Sequence, residues 1–374
     1  MFSKFAILLA AAAALSAQDM PLDPVKINLP ADSPLMLVSE NLGESHVSRR
    51  GSAVVLDLDV TLTLHNSSAN RVRGVTLLVS AQEVTPGGKA SVSAPSLDVA
   101  PNQNFPMRIN LRLLRPAQMG GGQLVQVNLD GVLFQDFSFY GPNRLDSRRT
   151  MTAWEMEAQQ DRKYFKSILA ARGIDGLKQA MLESLNRQAE RPRLDVQVSR
   201  GPAVGSAAVA EHNARFAFLH FPDSPVEPVE GWAEIAGNEA RNPRIDVRNV
   251  TSKQVRYVEI DWIVSDRQGQ RFMAGSVPAS GPAFNLKAGG TSRVLQDTTL
   301  RISKDGGAPL SIAGMTGFVG QVEFADGKIW IPNRDSLANA QLLGILEPSP
   351  EEQRLMDLYR KKGPKALADE LGKF

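Results

Sequence analysis

The stretch Val54-Val-Leu-Asp-Leu-Asp-Val-Thr-Leu-Thr-Leu64 places Val54, Leu56, Leu58, Val60, Leu62 and Leu64 on one side and Val55, Asp57, Asp59, Thr61 and Thr63 on the other. An apolar/polar period of two sustained over this length is the pattern of a half-buried strand. Asn66-Ser67-Ser68 supplies the turn that ends it, because Asn and Ser side chains bond the local backbone and Asn tolerates positive φ. Alternation then resumes through Val72, Val75, Leu77 and Val79.

Working outward, further strands are expected at 90–99, 105–113 and 124–140, the last with a turn at Asp130-Gly131. Pro86-Gly87-Gly88, Pro101-Asn102 and Gly120-Gly121-Gly122 separate them. Short strands joined by turn residues, with no helix between, point to an antiparallel sandwich. Beyond Pro142 the period changes. Trp154, Ala158, Phe165, Ile168 and Leu169 recur at helical spacing up to Gly173, and Leu177, Met181, Leu182 and Leu185 continue in a second helix capped by Asp175. Strand signals return at 194–198, 216–221 and 232–235, and again from Ile245 through Val264 to a turn at Asp266–Gly269.

The second half repeats the first. Asn66-Ser-Ser-Ala-Asn-Arg-Val72 matches Asn249-Val-Thr-Ser-Lys-Gln-Val255, Asp130-Gly131 matches Asp326-Gly327, and Pro142-Asn143-Arg144 matches Pro332-Asn333-Arg334. From that last triplet an offset of about 190 residues runs on without a gap: Phe165 with Leu355, Ile168 with Leu358, Arg172 with Lys362, Gly173 with Gly363, Leu177 with Leu367 and Met181 with Leu371. Ser349-Pro350-Glu351-Glu352 has the form of a capping box with Pro at the first helical position. The expected fold is mainly β: two antiparallel immunoglobulin-like β-sandwiches, each followed by a short helical pair, in tandem duplication. The expected boundaries are a first sandwich at 25–145, a first helical pair at 146–191, a second sandwich at 192–338 and a second helical pair at 339–374.

The chain opens with Lys4, an apolar run from Phe5 to Leu15, and small residues Ser16 and Ala17 before Gln18 and Asp19. That order is a secretory signal peptide, expected at 1–17. The run is about 11 residues where a spanning helix needs about 20, so cleavage rather than membrane insertion is expected. Zero cysteines leave neither a lipid-attachment site nor a disulfide framework. The expected location is periplasmic or secreted. Lys plus Arg number 42 against 40 for Asp plus Glu, with the signs interspersed, which gives no field to gather nucleic acid.

Catalytic constellations are sparse. No Cys exists, and neither Ser276 nor Ser280 stands in a Gly-x-Ser-x-Gly elbow. His46, His65, His212 and His220 lack metal-ligand spacing, so no catalytic, cofactor-binding or metal site is assigned. Asp57 and Asp59 share one strand face, which reads as a solvated face without a third ligand. Asn66 and Asn249 each open a glycosylation sequon, but both stand where the turn itself calls for Asn. Arg144, Arg148 and Arg149 mark the passage from sheet to helix. The most specific local feature is the Pro-Asn-Arg triplet: Asn143, Arg144, Asn333 and Arg334 are expected to form a structural latch, Asn capping the turn and Arg reaching back to a carbonyl or carboxylate of the sandwich.

The segment Asn249–Gly269, with its Asn and Thr turn, spaced Val residues and closing Asp-x-x-Gly, resembles the small exported immunoglobulin-like or FxLYD-type sandwich modules of bacterial envelope proteins. The resemblance covers about 25 residues per copy and implies recognition or spacer units without catalytic residues. The expected function is therefore a non-enzymatic envelope or secreted protein presenting tandem units to a protein or glycan partner. One alternative is a chaperone or spacer of a pilus, secretion or outer-membrane assembly that adds strands along an open sheet edge. Another is a hydrolase with a nonstandard loop site, whose mark would be a concave pocket of convergent carboxylates.

Overall fold

The computed structural model describes residues 25–82, 87–117, 125–200, 211–279, 284–295, 298–339 and 341–374. The expected signal segment 1–17, Gly120 to Gly122 and Ser280 lie outside them. The chain is mainly β and divides into two compact units, Met1–Arg148 and Arg149–Phe374.

Unit 1 holds β1 (Lys26–Asn28), β2 (Leu35–Asn41), β3 (His46–Arg50), β4 (Ala53–Asn66), β5 (Val72–Ser80), β6 (Lys89–Ala94), β7 (Asn104–Pro116), β8 (Gln126–Phe134) and β9 (Phe139–Tyr140). One sheet runs β1-β8-β5-β6 with β9 on β8; the other runs β2-β4-β3 with β7 along β4. The alternation in β4 has the consequence read from it. Leu56, Leu58, Val60, Leu62 and Leu64 enter a core shared with Val75, Leu77, Val127 and Val132 of the other sheet. The opposite face of β4 carries charge. Arg108 forks onto Asp59 at 2.8 and 2.9 Å, and Arg112 bonds Asp57 at 2.5 Å, which holds both carboxyls below their ordinary range.

Asp130-Gly131 is not a turn. It lies inside β8, where Thr76 pairs with Gly131 and Leu77 with Leu129, so that Asp130 is the extra residue of a β-bulge. Its buried carboxylate is filled from farther along the chain: Arg144 N donates at 2.8 Å, Leu145 N at 3.3 Å, and the Ser147 hydroxyl also donates to it. These tertiary donors override the local turn preference of Asp-Gly. The reversal comes after Phe134, where Phe137 has φ 63 and Asp136 Oδ1 accepts from Ser138 N at 3.0 Å.

Unit 2 contains β10 (Leu194–Arg200), β11 (His212–Arg215), β12 (Ala217–Phe218), β13 (Val226–Ala236), β14 (Glu239–Asn249), β15 (Val255–Asp266), β16 (Arg271–Ala279), β17 (Thr291–Leu295), β18 (Thr298–Lys304), β19 (Ile312–Phe324) and β20 (Ile329–Trp330). One sheet runs β12-β19-β15-β16 with β20 on β19, and the other β10-β18-β14-β13-β11 with β17 on β14. The strand expected over 216–221 is confined to Ala217–Phe218. Trp262 is the largest fully buried side chain and meets Phe216 edge to face, ring centres 4.6 Å apart.

The helices are α1 (Ser147–Glu190), α2 (Arg334–Leu337) and α3 (Pro350–Leu371). Both long helices are broken at a glycine: Gly173 in α1 at φ 64, ψ −162, and Gly363 in α3 at φ 80, ψ 179. That backbone region is essentially reserved for glycine. Ser349 caps α3 by accepting from Glu352 N at 3.0 Å, with Pro350 at the first turn. The helical segments share one core. Phe165, Leu177 and Met181 of α1 meet Leu355, Leu367 and Leu371 of α3, all wholly buried. Among the described residues, no helix is long and apolar enough to cross a membrane.

Candidate functional site

In α1, Trp154, Glu157, Asp161 and Tyr164 recur every three or four residues and so line one helix face. That face borders a cavity of about 530 Å³ within unit 2, whose other walls include Asp261 of β15, Phe318 and Gly320 of β19, and Arg334 of α2. The size suits a small ligand or a single side chain of a larger one.

Three of the lining carboxyls are displaced upward. Burial raises Glu157 to about 7, and the neighbouring charges of Asp161 and Glu259 add to the effect. Asp161 is raised by burial to about 6, against the opposing pull of Arg334 and of a hydrogen bond from the Ser349 hydroxyl. Asp261 is pushed well above the ordinary range by burial, then by Glu259 and Glu157. Asp161 has protein partners: Arg334 pairs with it and also lies 3.3 Å from Glu352, and Ser349 donates to it. Among the described residues no hydrogen-bond donor reaches the carboxyl of Glu157 or of Asp261.

The seat of Asp261 is made by a glycine. Gln321 pairs with Glu259 and Val319 with Ile260, leaving Gly320 as the extra residue of a bulge in β19. A Cβ on Gly320 would overlap the Asp261 carboxylate. The same register occurs in unit 1, where the bulged residue is Asp130 and the residue after Leu77 is Leu78. Unit 1 also has a cavity there, of about 390 Å³, bordered by Leu78, Asp130, Pro142 and Arg144. In unit 1 the carboxylate thus springs from the bulge and is filled by two backbone donors and the Ser147 hydroxyl; in unit 2 it springs from the adjacent strand and faces open space.

The four residues expected as a latch are placed as follows. Asn143, at φ 55, accepts from Arg148 N at 2.8 Å, and the backbone N of Arg144 bonds Asp130. Asn333 caps α2 by accepting from Ser336 N at 2.8 Å. Arg334 sends its guanidinium to Asp161 in α1 and Glu352 in α3, stacked 4.1 Å from the Tyr164 ring centre. Arg334 thus meets carboxylates of the helices, where a carbonyl or carboxylate of the sandwich was expected, and sequence reasoning missed Glu157, Asp161 and Asp261. The helical spacing of Glu157 and Asp161 was a readable signal; the approach of Asp261 was not, because it comes from a strand about a hundred residues away.

Asn66 and Asn249 are fully buried and make matching bonds. Asn66 Nδ2 donates to the carbonyls of Asn70, Val99 and Ala100 at 2.9, 3.3 and 3.1 Å; Asn249 Nδ2 donates to those of Lys253, Leu286 and Lys287 at 2.7, 3.3 and 3.1 Å. A nitrogen so engaged is closed to glycosylation in the folded chain. Among the described residues, no three His, Cys, Asp or Glu side chains converge to hold a metal ion. His220 is exposed, and Ser276 donates to Glu259.

No family model matches the chain, and no curated protein matches it. Among solved structures, the Northeast Structural Genomics Consortium target SoR45 is 11% identical with a TM-score of 0.18, covering 37% of this chain and 79% of that one. A β-glucosidase from Kluyveromyces marxianus in complex with glucose is 9% identical with a TM-score of 0.16, covering 80% of this chain and 48% of that one. Its selenomethionine-labelled form is 8% identical with a TM-score of 0.15, covering 72% and 45%. The chain spans about half the length of the β-glucosidase. Likeness at this level carries no argument about fold or activity.

Proposed function

We propose that the chain is an exported, non-enzymatic binding protein of the cell envelope, built from two copies of an immunoglobulin-like sandwich with a helical pair, whose second copy engages a protein or glycan partner through the unit 2 cavity. The observation that carries the binding reading is the pair of carboxyls at Glu157 and Asp261, open to a cavity and without a protein donor. Unpartnered polar groups in a cleft are costly to the fold and are what a ligand would satisfy.

The duplication is supported by registers that sequence alone misaligned. The turn at Asp136 corresponds to that at Asp326, where Lys328 N donates to Asp326 Oδ1 at 3.1 Å as Ser138 N does to Asp136. The two bulges, the paired asparagines and the broken glycines Gly173 and Gly363 then fall in one order. Strand order matches too: β1-β8-β5-β6 with β9, and β12-β19-β15-β16 with β20. Export rests on the reading of residues 1–17.

Binding is favoured over hydrolysis on electrostatic grounds. Acid–base hydrolysis by carboxyls needs one held protonated and another held ionised. Here the carboxyl nearest the ionised form at neutral pH, Asp161, is occupied by Arg334 and by the Ser349 hydroxyl and so is not free to act as a base, while the open carboxyls, Glu157 and Asp261, are both pushed toward the protonated form. The test is capture from envelope extract with the wild-type chain and with Glu157→Gln/Asp261→Asn, beside a hydrolase panel. A partner retained by the wild type and lost by the variant supports the proposal; turnover on the panel, or capture indifferent to the variant, overturns it.

A strand-adding chaperone or spacer is the second reading, and one observation favours it. In β2, Met36, Leu37 and Val38 are 54%, 39% and 53% exposed on a strand that pairs only with β4 among the described residues. An exposed apolar edge is a template for strand addition.

A further inference from the structure

The charges lining the unit 2 cavity do not balance. Its acidic residues are Glu157, Asp161, Asp261, Asp335, Glu347 and Glu352; its basic residues are Arg187 and Arg334. Both arginines are spoken for, Arg334 by Asp161 and Glu352, Arg187 by Glu352 at 3.5 Å. Glu347 is paired with Arg191 at 2.7 Å, and Asp335 is exposed to water. Glu259, which flanks Glu157 and Asp261, accepts from Tyr257 and Ser276. What remains is Glu157 and Asp261, on facing elements, with no cation among the described residues paired to either.

Apolar side chains complete the wall: Leu337, Leu343 and Leu346, with the rings of Trp154 and Phe318. Carboxyls beside hydrocarbon and aromatic surface form the complement of one chemical group, a protonated amine on a methylene chain. The comparison within the molecule points the same way. At the corresponding bulge of unit 1, Asp130 is filled by its own chain, and Leu78 stands where unit 2 has Asp261. Unit 2 has Gly320 in place of the bulged acid and a carboxyl on the adjacent strand instead, so an acceptor filled by its own chain gives way to one without a protein donor.

We propose that the unit 2 cavity receives an alkylammonium group, held between the carboxyls of Glu157 and Asp261. The proposal rests on the cavity being the binding site and adds the chemistry of what enters it. The group is either a free amine or the lysine side chain of a partner. In the empty cavity both carboxyls are pushed toward the neutral form; the arriving ammonium favours their ionised form, so binding releases protons and tightens as pH rises.

The full chain is titrated by calorimetry with 1,5-diaminopentane, as the free amine, and with Nα-acetyl-lysine methylamide, as the side chain. The controls are 1,5-pentanediol and glutarate. Saturable binding is expected for at least one amine and for neither control, roughly tenfold weaker at pH 5 than at pH 7.5, with net proton release seen by comparing buffers of different ionisation enthalpy. Which amine binds identifies the source. Asp261→Asn and Glu157→Gln should each weaken binding by roughly tenfold or more while retaining a cooperative melt. Binding of neither amine, equal binding of the diol, or affinity unchanged in both variants overturns the alkylammonium assignment. If the amines fail but maltose binds and Gly320→Ala weakens it, the cation is wrong and the cavity remains the site. If the extract partner is also indifferent to Glu157→Gln/Asp261→Asn, the cavity reading falls with it.

Discussion

The carboxylate of Asp261 occupies the space that a side chain on Gly320 would fill. These two residues belong to adjacent strands, and the bulge at Gly320 is what brings the backbone close enough for the acid to lie over it. Gly320→Ala should therefore displace Asp261 and cost about 1–3 kcal/mol by overpacking, measured by urea denaturation. The cost belongs to the contact, so a double-mutant cycle with Asp261→Ala should recover most of it. Additive losses would show that Gly320 is needed for its own backbone instead.

Arg334 ties α2 to both long helices through Asp161 and Glu352, and its ring stack on Tyr164 fixes the guanidinium. Removing one partner of a largely buried pair leaves the other charge stranded. Arg334→Ala should cost about 2–4 kcal/mol at pH 8. Since Arg334 lowers the Asp161 carboxyl, which stands at about 6, the loss should shrink near pH 5, where Asp161 is protonated with or without its partner. The Arg144 side chain is exposed and works through its backbone N, so Arg144→Ala should stay within about 0.5 kcal/mol of wild type. Thermal melts of both variants at the two pH values separate these expectations.

What could be read from the sequence depended on how local the cause was. Period two over Val54 to Leu64 gave β4 because burial of alternate residues is decided along one strand. Gly173 and Gly363 marked real breaks because the backbone angles there exclude other residues. Asp130-Gly131 misled because its carboxylate is claimed by Arg144, Leu145 and Ser147, a tertiary cause that turn grammar does not contain. The cavity was invisible for the same reason. Glu157 and Asp161 look like surface acids of a helix, and Asp261 like the polar side of an alternating strand, until the fold places them together.

Asn66 and Asn249 offer a comparison between the units. Each side-chain nitrogen serves three main-chain carbonyls, and each Oδ1 accepts from the residue two positions on: Ser68 N at 3.1 Å and Thr251 N at 2.9 Å. Replacing Asn by Asp would aim a carboxylate oxygen at those carbonyls; Val99 O and Leu286 O keep their donors Val72 N and Val255 N, but the buried oxygens would repel one another. Asn66→Asp and Asn249→Asp should each cost about 2–4 kcal/mol, by chemical denaturation, and by similar amounts. A loss in one unit and none in the other would mean that the two asparagines, alike in geometry, differ in what they support.

Glu157 makes the stability of the empty protein depend on pH in a way opposite to ordinary acid denaturation. Its carboxyl stands at about 7 in the folded chain against 4.5 without the fold, raised first by burial. Between those values the folded state binds more protons than the unfolded, so raising pH through this window removes stability. A shift of this size corresponds to about 3 kcal/mol, present below pH 4.5 and lost by pH 8. Glu157→Gln keeps the shape without the titration. It should therefore flatten the fall between pH 4.5 and 7 and leave the variant more stable than wild type at pH 8, by up to about 3 kcal/mol. Asp161 and Asp261, both also raised, should keep part of the slope in the variant, with the Asp261 share reduced because Glu157 contributes to its shift. Denaturation midpoints from pH 4.5 to 8 check this. Equal slopes in the two proteins would mean that Glu157 is solvated and carries no such burden.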